Sequence, residues 1–152
     1  MLFAAKHKDK IKALVLWNAL IDYHSLLNPE LPWSKKYFSD ADKKIEKNGF
    51  VEIGSRKFRI GKPLFKEMKK LHPWKELKKL EIPVLFVHGD KDTHVPYEDS
   101  VKYSGLLKNA QLKTIHEAGH GFHDNKKQEE QADNATIEFF RKNMKSTSKK
   151  LA

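Results

Sequence analysis

The sequence predicts an α/β fold: parallel strands with helices packed on their faces. Three observations predict it. Residues 13–17 and 82–88 are short, continuous apolar runs, as in strands of a parallel sheet that is covered on both sides. After residue 80, strand-like and helix-like segments alternate. Two loops rich in Gly, Asp and His directly follow strand-like runs, at the sheet edge where open parallel sheets bind ligands.

The elements follow in order. Residues 1–7 are helix-compatible but have no capping residue in front of them. Ala13-Leu14-Val15-Leu16-Trp17 reads as the first strand. A mixed segment, residues 18–80, comes next. Within it, Ser39-Asp40-Ala41-Asp42 resembles a capping box, and Gly49 would end the helix that it starts. Residues 50–53 and 56–60 flank Gly54-Ser55 and predict a hairpin with a two-residue turn. Pro63 opens a helix that places Leu64, Met68 and Leu71 on one face. Residues 82–88 give the second sheet strand, with Pro83 tolerated at its start. Pro96 starts a helix that runs to about residue 107. Residues 111–116 form a third strand. Residues 126–144 form a closing helix, with Ala132, Ala135, Ile137 and Phe139 facing inward. The tail, residues 145–152, is polar.

Composition excludes several classes. The 152 residues suit one core and include no cysteine, which rules out disulfides and thiolate metal sites. The N-terminal apolar stretch is too short for a signal peptide, and the run 13–21, broken by Asn18, is too short to span a membrane. A cytoplasmic, non-membrane protein is expected. The net charge of +10 comes almost entirely from scattered lysines, with arginine only at 56, 59 and 141. A nucleic-acid surface would favour arginine with interleaved aromatics, so no nucleic-acid partner is expected.

The chemistry lies in the two loops. One reads His88-Gly89-Asp90-Lys91-Asp92-Thr93-His94-Val95-Pro96, the other Glu117-Ala118-Gly119-His120-Gly121-Phe122. A carboxylate on one loop can hold an imidazole on the other in a single tautomer and stabilise its protonated form. The first loop resembles the acid loop of α/β-hydrolases, a Gly-x-x-Asp followed by Val-Pro, and the second resembles their histidine loop. The resemblance implies Asp92 as catalytic acid and His120 as catalytic base, with Asp90 a turn residue bonding its own backbone. It implies the C-terminal part of an α/β-hydrolase core (residues 1–17 and 81–144), interrupted by a lid over an acyl pocket (residues 18–80). In that lid, Tyr23, Trp33, Tyr37, Phe38, Phe50, Phe58, Phe65 and Trp74 either line the pocket or form the lid's own core. The hairpin and the Pro63 helix are similar to bacterial feruloyl and cinnamoyl esterases. The implied activity is cleavage of small carboxylic esters through an acyl-enzyme, with no cofactor and no metal.

The family's order is Ser, Asp, His, with the Ser on a Gly-x-Ser-x-Gly elbow, and no such elbow occurs in this sequence. Ser25, Ser34, Ser39 and Ser55 fall in the insertion, and Ser100 and Ser104 fall on the helix after the acid. The nucleophile is therefore expected upstream of Met1, and the chain is expected to be inactive alone. The alternative is a non-catalytic or split-enzyme partner that supplies the Asp/His half. The first strand would then offer an open edge for association with another chain. His116-Glu117-Ala118-Gly119-His120 also matches the H-E-x-x-H of zinc peptidases, which requires a helix that Gly119 and Gly121 oppose. His88 and His94 sit close enough to touch the site and read as packing or surface residues.

Overall fold

The computed structural model describes residues 1–123 and 125–144. The polar tail lies outside the described residues. Three parallel strands form the sheet: β1 (Leu14–Trp17), β2 (Val84–Gly89) and β3 (Ala110–Ile115), in the order β1-β2-β3. The central strand β2 is buried at every position. Among the described residues β1 pairs only with β2, and of its residues Leu16 is buried while Trp17 is exposed. β3 alternates between half-buried and exposed residues up to Ile115. The full two-sided burial expected of an apolar run thus applies to β2 and not to β1.

Alternation along β2 separates two layers, because successive strand residues point to opposite faces. Val84 and Phe86 pack with Leu16, Tyr103, Leu77 and Ala4. Those partners bring in three helices on one face: α1 (Leu2–Lys6), α2 (Pro73–Leu77) and α3 (Tyr97–Ser104). Leu85 and Val87 pack with Ile115, Phe122, Ala132 and Phe139, the last two from the closing helix α4 (Lys126–Asn143) on the other face. The result is helix, sheet, helix. On α4, Asn125 caps the start by accepting from the Lys127 N–H at 2.9 Å. Ala132 and Phe139 are seven residues apart and share one face. Ile137 lies off that stripe and is 46% exposed, so it does not face inward as expected.

The segment between β1 and α2 has its own apolar cluster, made of Leu26, Phe38, Ala41, Ile45, Val51, Ile60, Phe65 and Met68. Phe38 and Phe65 are buried in it, and Trp33 and Tyr37 pack on its margin. Trp74 packs against the sheet's cluster, and Phe58 is 62% exposed. The helix Ala41–Asn48 ends at Gly49 with φ +82°, the left-handed cap that glycine accepts freely. Its start differs from expectation, because no side chain at the N-terminus makes a capping hydrogen bond. The hairpin pairs Phe50–Ile53 with Phe58–Gly61 in register Ile53↔Phe58, leaving a four-residue connection instead of the two-residue turn. Both Gly54 (φ +70°) and Lys57 (φ +52°) adopt positive φ there, so Arg56 and Lys57 belong to the turn.

Candidate active site

The C-terminal ends of β2 and β3 position the site. The β2 strand runs to Gly89, whose backbone lies against the loop that follows β3. A Cβ at Gly89 would overlap the Ala118 carbonyl and stand 2.8 Å from the Gly119 oxygen. Only glycine allows that approach. Backbone bonds then tie the two loops: the Asp90 N–H to Ile115 O at 3.3 Å and the Lys91 N–H to Ala118 O at 3.0 Å. At the end of β1, Asn18 turns in a left-handed conformation (φ +40°), and its buried side chain accepts from the Gly89 N–H at 3.1 Å.

Asp90 closes the loops from outside. Its carboxylate accepts from the Glu117 N–H at 2.7 Å and from His116 Nδ1 at 2.9 Å. This corrects the expectation that Asp90 bonds its own backbone, since its partners lie on the other loop. His116 beside it holds Asp90 below the usual carboxylate range, aided by the Glu117 N–H and opposed by desolvation.

Asp92 makes the local turn instead. Its Oδ1 accepts from the N–H groups of His94 (2.8 Å) and Val95 (3.0 Å). Its Oδ2 accepts from His120 Nδ1 at 2.8 Å and from His88 Nε2 at 3.2 Å. The Asp92 side chain is fully shielded, whereas that of His120 is 42% exposed. Burial pushes the Asp92 carboxyl up, but the hydrogen bonds from His120, His88, Val95 and His94 outweigh it and hold it well below the carboxylate range. His120 is raised above the ordinary imidazole value, by its hydrogen bond to Asp92 and that carboxylate's charge, against partial desolvation. Glu117 (φ +56°), Gly121 (φ +92°) and Phe122 (φ +64°) all take left-handed backbone, so the loop turns sharply on both sides of His120. The ring presents its Nε2 edge away from Asp92.

The structure thus places Asp92 and His120 together. It also adds two residues that sequence reasoning set aside. His88 is fully buried and bonded to Ser100 Oγ at 2.6 Å as well as to Asp92. The His94 ring lies 5.1 Å from the His120 ring and 6.0 Å from that of Trp33 in the insertion. The H-E-x-x-H stretch is a turn and loop just beyond the strand end at Ile115, not a helix. Its two histidines bond different carboxylates, and among the described residues no group of three or more His, Asp or Glu converges to hold a metal. Among the described residues, no serine hydrogen bonds to His120. Ser25 donates to Asp99, Ser100 pairs with His88 and Ser104 donates to Val101 O. Ser34 is buried without a partner. No described helix is long and apolar enough to cross a membrane.

The fold is similar to those of solved structures. Est1E from Butyrivibrio proteoclasticus superposes with a TM-score of 0.71 at 25% identity, over 94% of this chain and 55% of that one. A structure of Est1E with ferulic acid bound gives 0.69 at 27% identity, over 94% and 54%. An acylaminoacyl peptidase from Pyrococcus horikoshii shares the fold, with a TM-score of 0.58 at 21% identity over 91% of this chain and 21% of that one. The chain therefore spans about half the length of the Est1E chain that it matches. Residues 28–147 match the prolyl oligopeptidase family, and with the sheet, helices and loop positions described, the chain belongs to that family of α/β-hydrolases.

Proposed function

We propose that this chain supplies the acid and base of a serine hydrolase that cleaves carboxylic esters through an acyl-enzyme. In this reading Asp92 is the acid, His120 is the base, and the nucleophilic serine lies on a Gly-x-Ser-x-Gly segment upstream of Met1. The observation that carries the reading is the 2.8 Å bond from His120 Nδ1 to a fully shielded Asp92 carboxylate. That bond fixes the proton on Nδ1 and leaves Nε2 as the lone-pair edge of a half-exposed ring, the edge a base offers to a nucleophile. The lack of a serine against His120 among the described residues, and the half-length match to Est1E, support a nucleophile outside the chain. General-base action of this kind contributes roughly 10²–10⁴-fold, so the pair alone leaves ester hydrolysis at background. The insertion, residues 18–80, would act as the lid, because it carries its own apolar cluster and brings Trp33 to His94 beside the base. The likeness to Est1E with ferulic acid bound supports an ester with an aromatic acyl group.

The test joins the chain, in cis or in trans, to a segment bearing the missing strands and the elbow, and assays p-nitrophenyl esters, a hydroxycinnamate ester and a peptide amide. Turnover of esters by the joined form alone is expected. Ester turnover by the unextended chain would refute the reading. Hydrolysis of the amide alone would move the substrate class to peptides.

A further inference from the structure

Asp92 Oδ2 is shared. His120 reaches it at 2.8 Å from the exposed side, and His88 reaches it at 3.2 Å from the fully buried side. The ionised carboxylate has no proton to give, so both imidazoles must present N–H to it. For His88 this puts the proton on Nε2. With the ring's one proton there, Nδ1 is the lone-pair edge and accepts the Ser100 hydroxyl at 2.6 Å. The chain of bonds is Ser100 to His88 to Asp92, with His120 on the same oxygen. Position on the strand explains it. His88 is two residues beyond Phe86 and so points to the face covered by α3, where Ser100, itself 1% exposed, waits. The Tyr97 ring packs in a T-shape with His88 at 5.8 Å between centroids.

We propose that His88 is a positioning residue, a second donor to Asp92 Oδ2 that competes with His120 for the carboxylate's charge, and that Ser100 fixes the tautomer in which it can donate. The inference rests on the reading of Asp92 and His120 as acid and base, and deepens it. Anchoring the carboxylate is not the main effect of His88, because Oδ1 is already held by the backbone N–H groups of His94 and Val95. Its effect is on Oδ2. Hydrogen bonds to the charged form withdraw charge from it. Each share taken by His88 is a share not offered to protonated His120, so His88 limits how far Asp92 favours the protonated base. The titratable groups facing the pair are His88, His94, whose ring is 5.1 Å from His120, and Tyr97, whose hydroxyl bonds Thr114 at 2.6 Å. Asp90 on the same loop is engaged by His116.

The experiment is an NMR titration of histidine-labelled chain, with the His120 signal identified by its loss in His120→Asn. It reads the pair without ester turnover, so failure of this inference and failure of the hydrolase reading are separate results. In His88→Leu the His120 midpoint is expected to rise by about 0.5 pH unit or more, as one hydrogen bond to the carboxylate is lost. His88→Gln, whose amide N–H can reach the same oxygen, is expected to restore the wild-type midpoint. Ser100→Ala leaves the buried ring in place and is expected to raise the midpoint by less, which covers the case in which His88→Leu does not fold. An unchanged or lowered midpoint in either folded variant overturns the proposal. Long-range nitrogen–proton spectra of the wild type should show the His88 proton on Nε2, and a proton on Nδ1 would overturn it independently.

Discussion

At the residue scale, the acid loop divides its labour between two carboxylates that look alike in sequence. Asp90 and Asp92 stand two residues apart in one loop, yet Asp90 clamps the neighbouring loop and Asp92 both turns its own loop and holds His120. The motif Gly-x-x-Asp–Val-Pro was enough to select Asp92, but not to say what Asp90 does, since its partners are 26 and 27 residues away in the chain. His88 was illegible for the same reason. A histidine at the end of an apolar strand reads as packing until α3 delivers Ser100 to one nitrogen and the loop delivers Asp92 to the other. If His120 acts as base in the joined enzyme, it must be neutral to accept a proton. Its raised value therefore moves the acid limb of kcat/KM above the ordinary imidazole position near pH 6.5, a shift that a pH–rate profile will show.

A second residue-scale prediction concerns Asp99. It is buried, Ser25 donates to its Oδ1 at 2.9 Å, and its Oδ2 has no hydrogen-bond partner among the described residues. Burial raises it to about 6, with the Ser25 hydrogen bond opposing and the Asp22 charge adding. The folded state thus binds this proton more tightly than the unfolded state. The stability it contributes is complete below the ordinary carboxylate range and is lost as pH rises through about 6. In Asp99→Asn, Nδ2 would replace the unpartnered oxygen without charge. That variant should gain on wild type as pH rises from 4 to 7, reaching about 2–3 kcal/mol. Thermal melts across that range check it, and an advantage independent of pH would contradict it.

At the scale of elements, the close approach of the strand end at Gly89 to the loop after β3 makes the site possible. A methyl group there meets backbone carbonyls, not yielding side-chain ends. Gly89→Ala is expected to cost roughly 1–3 kcal/mol by overpacking, and to part the two loops so that His120 loses its elevated midpoint. Denaturant melts and the histidine titration read the two effects together. A stable variant with unaltered His120 would show that the loops meet without that contact. The elements themselves were mostly legible. The apolar run at 82–88 and the alternation of segments located the sheet strands to within a residue or two. Where the reading failed, local signals were overridden. The hairpin turn took Arg56 and Lys57 out of the expected strand because Lys57 adopts positive φ. Ile137 fell outside the stripe set by Ala132 and Phe139, which the hydrophobic content of α4 alone did not define.

At the scale of the whole molecule, the described sheet has β1 on one edge, paired only to β2. Leu16 is buried, but Leu14 and Val15 are only half covered, and an apolar edge with open backbone groups invites pairing. The unextended chain is expected to associate in a concentration-dependent way in size-exclusion chromatography. The joined form is expected to elute as a monomer, since the added strand would occupy that edge. A unextended chain that is monomeric at all concentrations would contradict this.

In the proposed function this chain holds the acid and base of a serine hydrolase, and the nucleophile lies outside it. Covalent capture with a fluorophosphonate, followed by mass spectrometry of the labelled peptide, tests it most directly, because the reagent marks a serine that a neighbouring histidine has activated. No label is expected on the unextended chain. In the joined form one label is expected, on the elbow serine, strongly reduced by His120→Ala. A label on Ser25, Ser34, Ser39, Ser55, Ser100 or Ser104 of the unextended chain would contradict the claim and place the nucleophile within it.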